Sequence, residues 1–411
     1  MINANFKFHP VGQGCFYSGR IKYDRVSFNI VYDCGTVSPR NFLTGEINKY
    51  KRTINGVLDL LIISHFDKDH INGVFELLNG ITCKNLIIPY YQPIERLMLA
   101  ISANENDNAD NRDYIEFLRN PIAYFIERDF NIERIIFIGE PNNDSDTVYN
   151  PDNNSPDFDI NGDTSMNIQV DLFENNIFPE NVADLDKAAT LQNTIVKFLK
   201  KPYRIQLPFW EFVFYLKEQE NKLLVTKITT EINNLAESLN VSVLDLFDEE
   251  HLKDLKKIYA SKFKNLNNTS VVTYHGPINS FNIKGELWRS FYWSCYKGKC
   301  GTLLTGDISL KAIKNIQSLQ KYYGSYLDTI SFFQIPHHGA KANWNITPSN
   351  NLREFCTYII NHGLGRKHHP SLEVIHFVKS TYNNSIISFS NEAQASEYYV
   401  YGYFEKLIEE S

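Results

Sequence analysis

The chain has 411 residues, of which 43% are hydrophobic and 22% are charged. This composition excludes a disordered chain, and the length allows two or three domains or one large domain with an insertion. The net charge of −7 argues against a protein that coats nucleic acid by bulk electrostatic attraction. Because neither a stretch of about 20 apolar residues nor a secretory leader is visible, we expect a cytoplasmic protein outside the membrane.

The first 140 residues alternate between strand-like and helix-like segments. Residues 58–64, with the sequence LDLLIIS, form a mostly apolar run, which is typical of a strand buried on both faces. Helices are predicted over 71–78, 95–103 and 114–128. Sheets covered by helices are therefore expected in this half of the chain.

A change in composition follows, from residue 142 to residue 163, where Asn, Asp, Ser and Pro dominate. Asp157, Asp159 and Asp163 resemble the first half of a calcium loop, but Ile168 stands where a bidentate Glu is required, so we predict a solvated turn. Residues 185–265 are predicted to be mostly helical, with a strand rich in Phe and Trp at 208–216. Their lysines form either a solvated helix face or a basic rim for a polyanion.

Short strands return from residue 269 onward, with helices between several of them. The chain is thus divided into a first α/β half at 1–140, a loop and helical insertion at 141–265, and a second α/β half at 266–411.

The strongest local pattern is SHFDKDHING at 64–73, directly after the predicted buried strand. In an extended loop His65 and Asp67 point to the same side and can chelate one ion. Asp69 and His70 follow as the chain turns into a helix, and they can address a second ion. Polar residues after a buried strand lie where α/β sites usually form.

Three later segments also place acids or histidines after predicted strands. LLTGD ends at Asp307, IPHHG contains His337 and His338, and KHHPS contains His369. Scattered core or surface histidines are not expected to collect at strand ends in this way. We therefore predict that these segments complete one site with residues 64–73.

Together, SHxDxDHxxG, TGD, PHHG and the late HP resemble the metallo-β-lactamase superfamily, and in particular the hydrolase-like domain of ComEC, a DNA-uptake channel protein. VGQG at 11–14, DCG at 33–35 and the N-x-S-x-V pattern at 268–272 resemble further parts of that domain. The resemblance covers about 1–90 and 265–390 and leaves 95–260 unexplained.

The resemblance implies an αββα sandwich, here with a long, mostly helical insertion, and one or two metal ions at the edge between its halves. It implies that His369 faces the same cleft, as a ligand or as a group that contacts the scissile phosphate. The implied metal ligands are His65 and Asp67 for the first ion, Asp69 and His70 for the second, Asp307 between them, and His338 or His337, of which we favour His338, to complete the second site.

Most superfamily members have histidine where this chain has Asp67. The carboxylate makes the site richer in oxygen, which favours manganese over zinc without excluding zinc. The third ligand of the first ion is not identified: His275 is one candidate, and Asn268 or Ser270 could line the site instead.

Two cations about 4 Å apart can activate a bridging water and polarise a phosphoryl or carbonyl oxygen. We therefore predict a metallo-hydrolase, a phosphodiesterase or nuclease acting on nucleic acid or a nucleotide, with Asp69 and His369 as catalytic groups and Lys341 and Asn268 as substrate contacts. The alternatives are a hydrolase of a small molecule (a cyclic nucleotide, lactone or lactam) and a non-catalytic, metal-binding scaffold subunit.

Overall fold

The computed structural model describes most of the chain. The described residues are 2–23, 25–103, 109–139, 168–170, 172, 194–217, 222–259, 270–278, 284–289, 292–297, 300–347, 352, 354–355 and 357–402. Asn268 and the calcium-like motif at 157–163 lie outside them.

The described strands are, in chain order, β1 (Ile2–Phe8), β2 (Phe16–Tyr23), β3 (Val26–Cys34), β4 (Val57–Leu58), β5 (Leu60–Ile62), β6 (Thr82–Pro89), β7 (Ile132–Ile138), β8 (Gln169–Val170), β9 (Ile195–Phe198), β10 (Arg204–Gln206), β11 (Trp210–Leu216), β12 (Val271–Pro277), β13 (Lys284–Arg289), β14 (Tyr292–Lys297), β15 (Gly301–Leu304), β16 (Ile330–Gln334), β17 (Thr357–Asn361), β18 (Ile386–Ser390) and β19 (Ser396–Gly402). The described helices are α1 (Arg40–Lys51), α2 (Lys68–Ile71), α3 (Val74–Leu78), α4 (Pro93–Ala103), α5 (Ala109–Arg119), α6 (Pro121–Glu127), α7 (Lys222–Leu239), α8 (Glu249–Tyr259), α9 (Ile313–Tyr323), α10 (Tyr326–Thr329) and α11 (Leu372–Thr381), with 3₁₀ turns at Asp245–Phe247 and His337–Gly339.

The strands form two sheets. The first sheet has the order β14-β13-β19-β1-β2-β3-β5-β6-β7-β9, with β4 also paired to β6, and the second has the order β18-β17-β16-β15-β12-β11-β10-β8. In the first sheet β3, β5, β6, β7 and β9 are parallel, and in the second β15, β16, β17 and β18 are parallel. Each sheet therefore has a parallel part whose strands end at one edge.

Successive residues of the parallel strands pack into different layers, because side chains alternate across a sheet. Leu60 and Phe332 lie in the apolar layer between the two sheets. Leu61 packs against the helices outside the first sheet, and Phe333 packs against those outside the second. The order of layers is helix, sheet, sheet, helix, which confirms the predicted α/β sandwich.

The predicted helix at 114–128 is instead two helices, α5 and α6. Pro121 has no backbone N–H to continue the first helix. It begins the second helix, where the Asn120 side chain accepts a hydrogen bond from the Ala123 N–H.

Residues 194–217, within the predicted insertion, contribute strands to both sheets. β9 pairs with β7 in the first sheet, and β11 pairs with β12 in the second. The helical prediction missed β9 and β10 because segments of four and three residues are too short to show a distinctive period. The division of the chain at residues 140 and 265 stays a prediction. Within the described part of the chain, no helix has the length and apolar character needed to cross a membrane.

A chain of polar contacts joins the two sheets through their shared apolar layer. The Tyr17 hydroxyl, on β2, lies 2.8 Å from His275 Nε2 on β12 and 2.7 Å from the Tyr398 hydroxyl on β19. The Tyr398 hydroxyl in turn lies 2.6 Å from Thr302 Oγ1 on β15. All four side chains are buried, so each depends on the others for its hydrogen bonds.

We expect Tyr17→Phe to lower the free energy of unfolding by about 1–3 kcal/mol, because it leaves His275 Nε2 without this buried partner. Tyr399→Phe is the matched control: it removes a half-buried hydroxyl that contacts Glu397 on the same strand, and a change within about 0.5 kcal/mol is expected. Denaturant unfolding measures both. Equal losses for the two variants would contradict a special role of the inter-sheet contacts.

Candidate metal centre

The residues of the site lie at the carboxyl ends of parallel strands. Asp33 is the next-to-last residue of β3, residues 64–70 follow β5, Asp307 follows β15, and His337–Gly339 follows β16. Because the parallel strands of each sheet end at one edge, loops from both sheets meet there.

Phe66 determines how the loop at 64–67 orients its polar side chains. Its ring is buried, and its centroid lies 4.9 Å from the ring centroids of Tyr91 and Phe117. Since side chains alternate along extended backbone, His65 and Asp67 project to the opposite side from Phe66. The loop ends where α2 begins at residue 68.

Asp33 is a fully buried carboxylate that connects the end of β3 to this loop. Its Oδ1 accepts a hydrogen bond from the Ser64 N–H at 2.7 Å, and its Oδ2 accepts from Ser64 Oγ at 2.6 Å and from His70 Nδ1 at 2.7 Å. Its backbone has a φ of 54°, a left-handed conformation that is uncommon outside glycine. Burial raises the pKa of Asp33, while the positive charge and hydrogen bond of His70 oppose that shift.

These hydrogen bonds determine which nitrogens of His65 and His70 carry protons. The Asp33 carboxylate accepts, so His70 Nδ1 is the donor. The Ser64 hydroxyl gives its hydrogen to Asp33, so it accepts from His65 Nδ1 at 2.8 Å. When the rings are neutral, both offer the Nε2 lone pair, the arrangement usual in metal-binding histidines.

Asp307 lies between the two Nε2 atoms. Its Oδ1 is 3.3 Å from His70 Nε2, and its Oδ2 is 3.8 Å from His65 Nε2. Both nitrogens are buried and have no hydrogen bond partner within the described part of the chain, a costly arrangement unless another group takes their lone pairs. The ligand atoms of these three residues lie within 4.8 Å of one another, so they can hold one ion.

A second group comprises Asp69, His70 and His338, whose ligand atoms also lie within 4.8 Å of one another. Asp69 Oδ2 is 3.0 Å from His338 Nε2, and the carbonyl oxygen of Asn361 is 2.9 Å from His338 Nδ1. The amide nitrogen of Asn361 is also near Nδ1, but at 3.4 Å, so the closer carbonyl determines that Nδ1 carries the proton. His338 therefore also offers Nε2. His70 belongs to both groups, whereas the sequence analysis assigned it to the second ion alone.

The charges around the centre favour a cation. Burial and the neighbouring carboxylates of Asp69 and Asp307 raise the pKa of Asp67 to about 7. Burial alone would lower the pKa of His70, but the charges of Asp307, Asp33 and Asp69 raise it well above its usual value. Protons thus compensate for crowded negative charge, and a divalent cation would do so more effectively. Nitrogen and carboxylate donors together suit manganese or zinc.

His337 and His369 stand at the outer side of the two groups. His337 is 37% exposed, and its Nδ1 lies 2.9 Å from Asp307 Oδ2. The His369 ring is centred 5.5 Å from that of His337 and 5.9 Å from that of His338. Burial and the two neighbouring histidines lower the pKa of His369 to about 4, so its ring is neutral at pH 7.

Lys341, predicted to contact substrate, forms an exposed ion pair in which its Nζ lies 2.9 Å from Glu373 Oε1. The neighbouring Trp344 is fully buried against Phe333 and is not available to a substrate.

His275, considered as a third ligand of the first ion, lies in the aromatic layer between the sheets. Its ring is centred 4.8 Å from that of Phe6, and its Nε2 contacts the Tyr17 hydroxyl. Burial lowers its pKa to about 3. It belongs to none of the three-ligand groups found among the described residues. Ser270 Oγ, by contrast, lies 3.5 Å from His65 Nδ1 and accepts from the Asp307 N–H at 3.2 Å.

The sequence analysis assigned no role to Asp33 or Ser64. DCG at 33–35 contributed only to the family resemblance, although an acid at the end of a strand resembles the pattern used to select Asp307. Asp33 takes its role from side chains 31 and 37 residues away, which a local pattern does not reveal.

Comparison with known proteins adds little to this geometry. No family model matches the chain, and no curated protein matches it. Among solved structures, it is similar to a long form RNase Z from yeast, with a TM-score of 0.30 and 7% sequence identity. That similarity covers 81% of this chain and 32% of the other, so the chain spans about a third of its length. A likeness this weak assigns neither a family nor an activity.

We expect Asp33→Asn to weaken metal binding by about 10- to 100-fold. An amide has one acceptor oxygen in place of two, so it can no longer accept from both Ser64 and His70 and thereby orient His65 and His70. Competition with a metal-binding dye measures the affinity for Mn²⁺ and Zn²⁺. Asp59→Asn is the control. Asp59 is also buried, and it accepts from the backbone N–H of Asn29, which lies on β3 as Asp33 does but away from the centre. If both variants bind metal equally, Asp33 does not orient the ligands.

We expect the affinity for Mn²⁺ to fall by about 10- to 100-fold between pH 8 and pH 6, since ligand protons must be displaced. The pKa of Asp67 is about 7, and although burial alone would lower the pKa of His337, Asp307 raises it to about 8. Both groups are therefore protonated at pH 6 and mostly free above pH 8. Titration calorimetry at three pH values measures this dependence. Asp67→Asn should reduce the slope, and a constant affinity would contradict the assignment.

Proposed function

We propose that this chain is a metal-dependent hydrolase of the metallo-β-lactamase superfamily, similar to the ComEC hydrolase domain, and that it cleaves phosphodiesters in nucleic acid or a nucleotide. One observation carries the proposal: two buried histidine Nε2 atoms, oriented through one carboxylate, lie on either side of Asp307 and have no hydrogen bond partner among the described residues. A divalent cation beside Asp307 would take both lone pairs.

The proposed ligands are His65, His70 and Asp307 around one ion, and Asp69, His70 and His338 around the other. Asp67 lies outside these groups, but its Oδ2 is 3.7 Å from His65 Nε2, so it is a proposed further ligand of the first ion. Divalent cations held there would activate water and neutralise charge on a phosphoryl group. Asp69 is the proposed acceptor of a proton from the attacking water, because its carboxylate is part of the centre and only partly buried. Asp33 would keep His65 and His70 oriented throughout.

An anionic substrate is supported by the loop that leads to His369. Arg366, Lys367 and His368 are consecutive, exposed and directly before it. This loop would place positive charge beside the centre, where a phosphodiester backbone needs it.

The lysines of the predicted insertion give less support to an anionic substrate than the basic rim considered from the sequence. Lys253 and Lys257 pair with acids on their own helix, at 2.5 Å from Glu249 and 2.8 Å from Asp254. Such exposed pairs are typical of a solvated helix face rather than a polyanion rim. The proposed basic rim is therefore assigned to the 366–368 loop.

We expect Asp69→Ala to reduce cleavage of labelled DNA or RNA by about 10²- to 10⁴-fold in Mn²⁺, because the proposed proton acceptor is removed. The assay compares single-stranded DNA, duplex DNA and RNA in Mn²⁺, Zn²⁺ or EDTA. Asp113→Ala is the control, because Asp113 is an exposed acid that pairs with Arg128 on the outer helices.

Three results would change the assignment. Full activity of Asp69→Ala would contradict the proposed mechanism. Intact polymers despite bound metal would favour the small-molecule hydrolase, and hydrolysis of a cyclic nucleotide would test it. Absence of bound metal would favour the scaffold subunit.

A further inference from the structure

Gln13 lies in the turn between β1 and β2, beside His369. The turn needs glycine at position 12, where φ is +81° and a Cβ would lie 2.3 Å from Ser38 Oγ. Gln13 is 8% exposed, and its backbone N–H donates to Ser38 Oγ at 2.9 Å. The side chain of Gln13 is therefore held by its backbone as well as by its own contacts.

The Gln13 amide has one possible orientation. The backbone N–H of Gly363 donates to Gln13 Oε1 at 3.1 Å, and this contact is possible only with the amide oxygen on that side. A Cβ at Gly363 would lie 2.9 Å from Gln13 Cβ, so the absence of a side chain there permits the close approach.

With its oxygen committed to Gly363, Gln13 turns its NH₂ group to His369. Gln13 Nε2 lies 3.5 Å from His369 Nδ1. An amide nitrogen only donates, so Nδ1 accepts and the neutral ring carries its proton on Nε2.

His369 thus differs from the histidines that offer Nε2 to a metal ion. At His70 and His338, Nδ1 faces an acceptor, Asp33 Oδ2 or the Asn361 carbonyl, and therefore keeps the proton. At His369, Nδ1 instead faces a donor, Gln13 Nε2, so the proton is on the other ring nitrogen. His369 is also absent from the three-ligand groups found in the described part of the chain, although it stands beside His337 and His338.

We propose that Gln13 is a positioning residue that holds His369 with its proton on Nε2, so that His369 donates a hydrogen bond to a phosphoryl oxygen of the substrate and does not bind metal. No bond to hydrogen breaks in this role; the neutral ring stabilises developing charge as a fixed donor. The contact with substrate rests on the proposed function, whereas the position of the proton does not.

Nitrogen NMR of protein labelled with ¹⁵N-histidine distinguishes the two neutral tautomers, and His369→Gln identifies the signals by their loss. At pH 8 we expect the His369 proton on Nε2. Gln13→Glu keeps the size of the side chain and the acceptor for Gly363 but turns an acceptor toward Nδ1, so the proton should move to Nδ1. Gln13→Met removes the donor without adding an acceptor and should give a mixture. A wild-type proton on Nδ1, or no change in either variant, overturns the proposal.

Metal content and activity separate the two parts of the proposal. His369→Gln should bind Mn²⁺ within about twofold of the wild type, whereas His338→Gln should lose at least tenfold in affinity. Loss of affinity in His369→Gln would make His369 a ligand and overturn the inference. If the polymer is cleaved, His369→Gln and Gln13→Glu should lower kcat with metal content unchanged. If no polymer is cleaved but the tautomer shifts as expected, the proposed substrate fails and the role of Gln13 remains.

Discussion

The centre depends on a buried carboxylate, Asp33. Burying an ionised acid is unfavourable unless hydrogen bonds compensate it, and here the Ser64 N–H, the Ser64 hydroxyl and His70 Nδ1 do so. The same three contacts orient His70 directly and His65 through the hydroxyl. The hydrogen bonds that offset the burial of the Asp33 charge therefore also turn both Nε2 atoms toward Asp307. Stability and ligand geometry cannot be changed independently at this position.

Crowded charge is the second constraint. Asp67, Asp69 and Asp307 lie together at the meeting point of the two sheets, and their repulsion contributes to the raised pKa of Asp67. His337 and His338 have left-handed backbone, with φ of 48° and 55°, in the turn that brings their rings to these acids. Such conformations persist where the surrounding fold imposes them, and they concentrate at functional sites. The fold thus holds close together acidic groups whose charges repel one another.

Much of this arrangement could be predicted from the sequence, because the signals are local. An apolar run followed by polar residues marked β5 and the loop with His65 and His70, and LLTGD marked Asp307. What was missed depends on tertiary contacts: the short strand β9 is defined by its pairing with β7, and Asp33 by its burial. Spacing does not reveal the ion pair between Lys341 and Glu373, an acid 32 residues away. The substrate contact of Lys341 stays a prediction.

The histidines themselves illustrate this limit most clearly. His338 and His369 are each the second histidine of an HH pair after a strand, and their rings are centred 5.9 Å apart, yet their hydrogen bonds have opposite polarity. A backbone carbonyl on Nδ1 gives Nδ1 the proton of His338, and its Nε2 faces Asp69, whereas an amide donor on Nδ1 places the proton of His369 on Nε2. Residue type determines that a ring can bind metal or donate a hydrogen bond. The partner on its other nitrogen decides which of these it does, and that partner comes from a distant part of the chain.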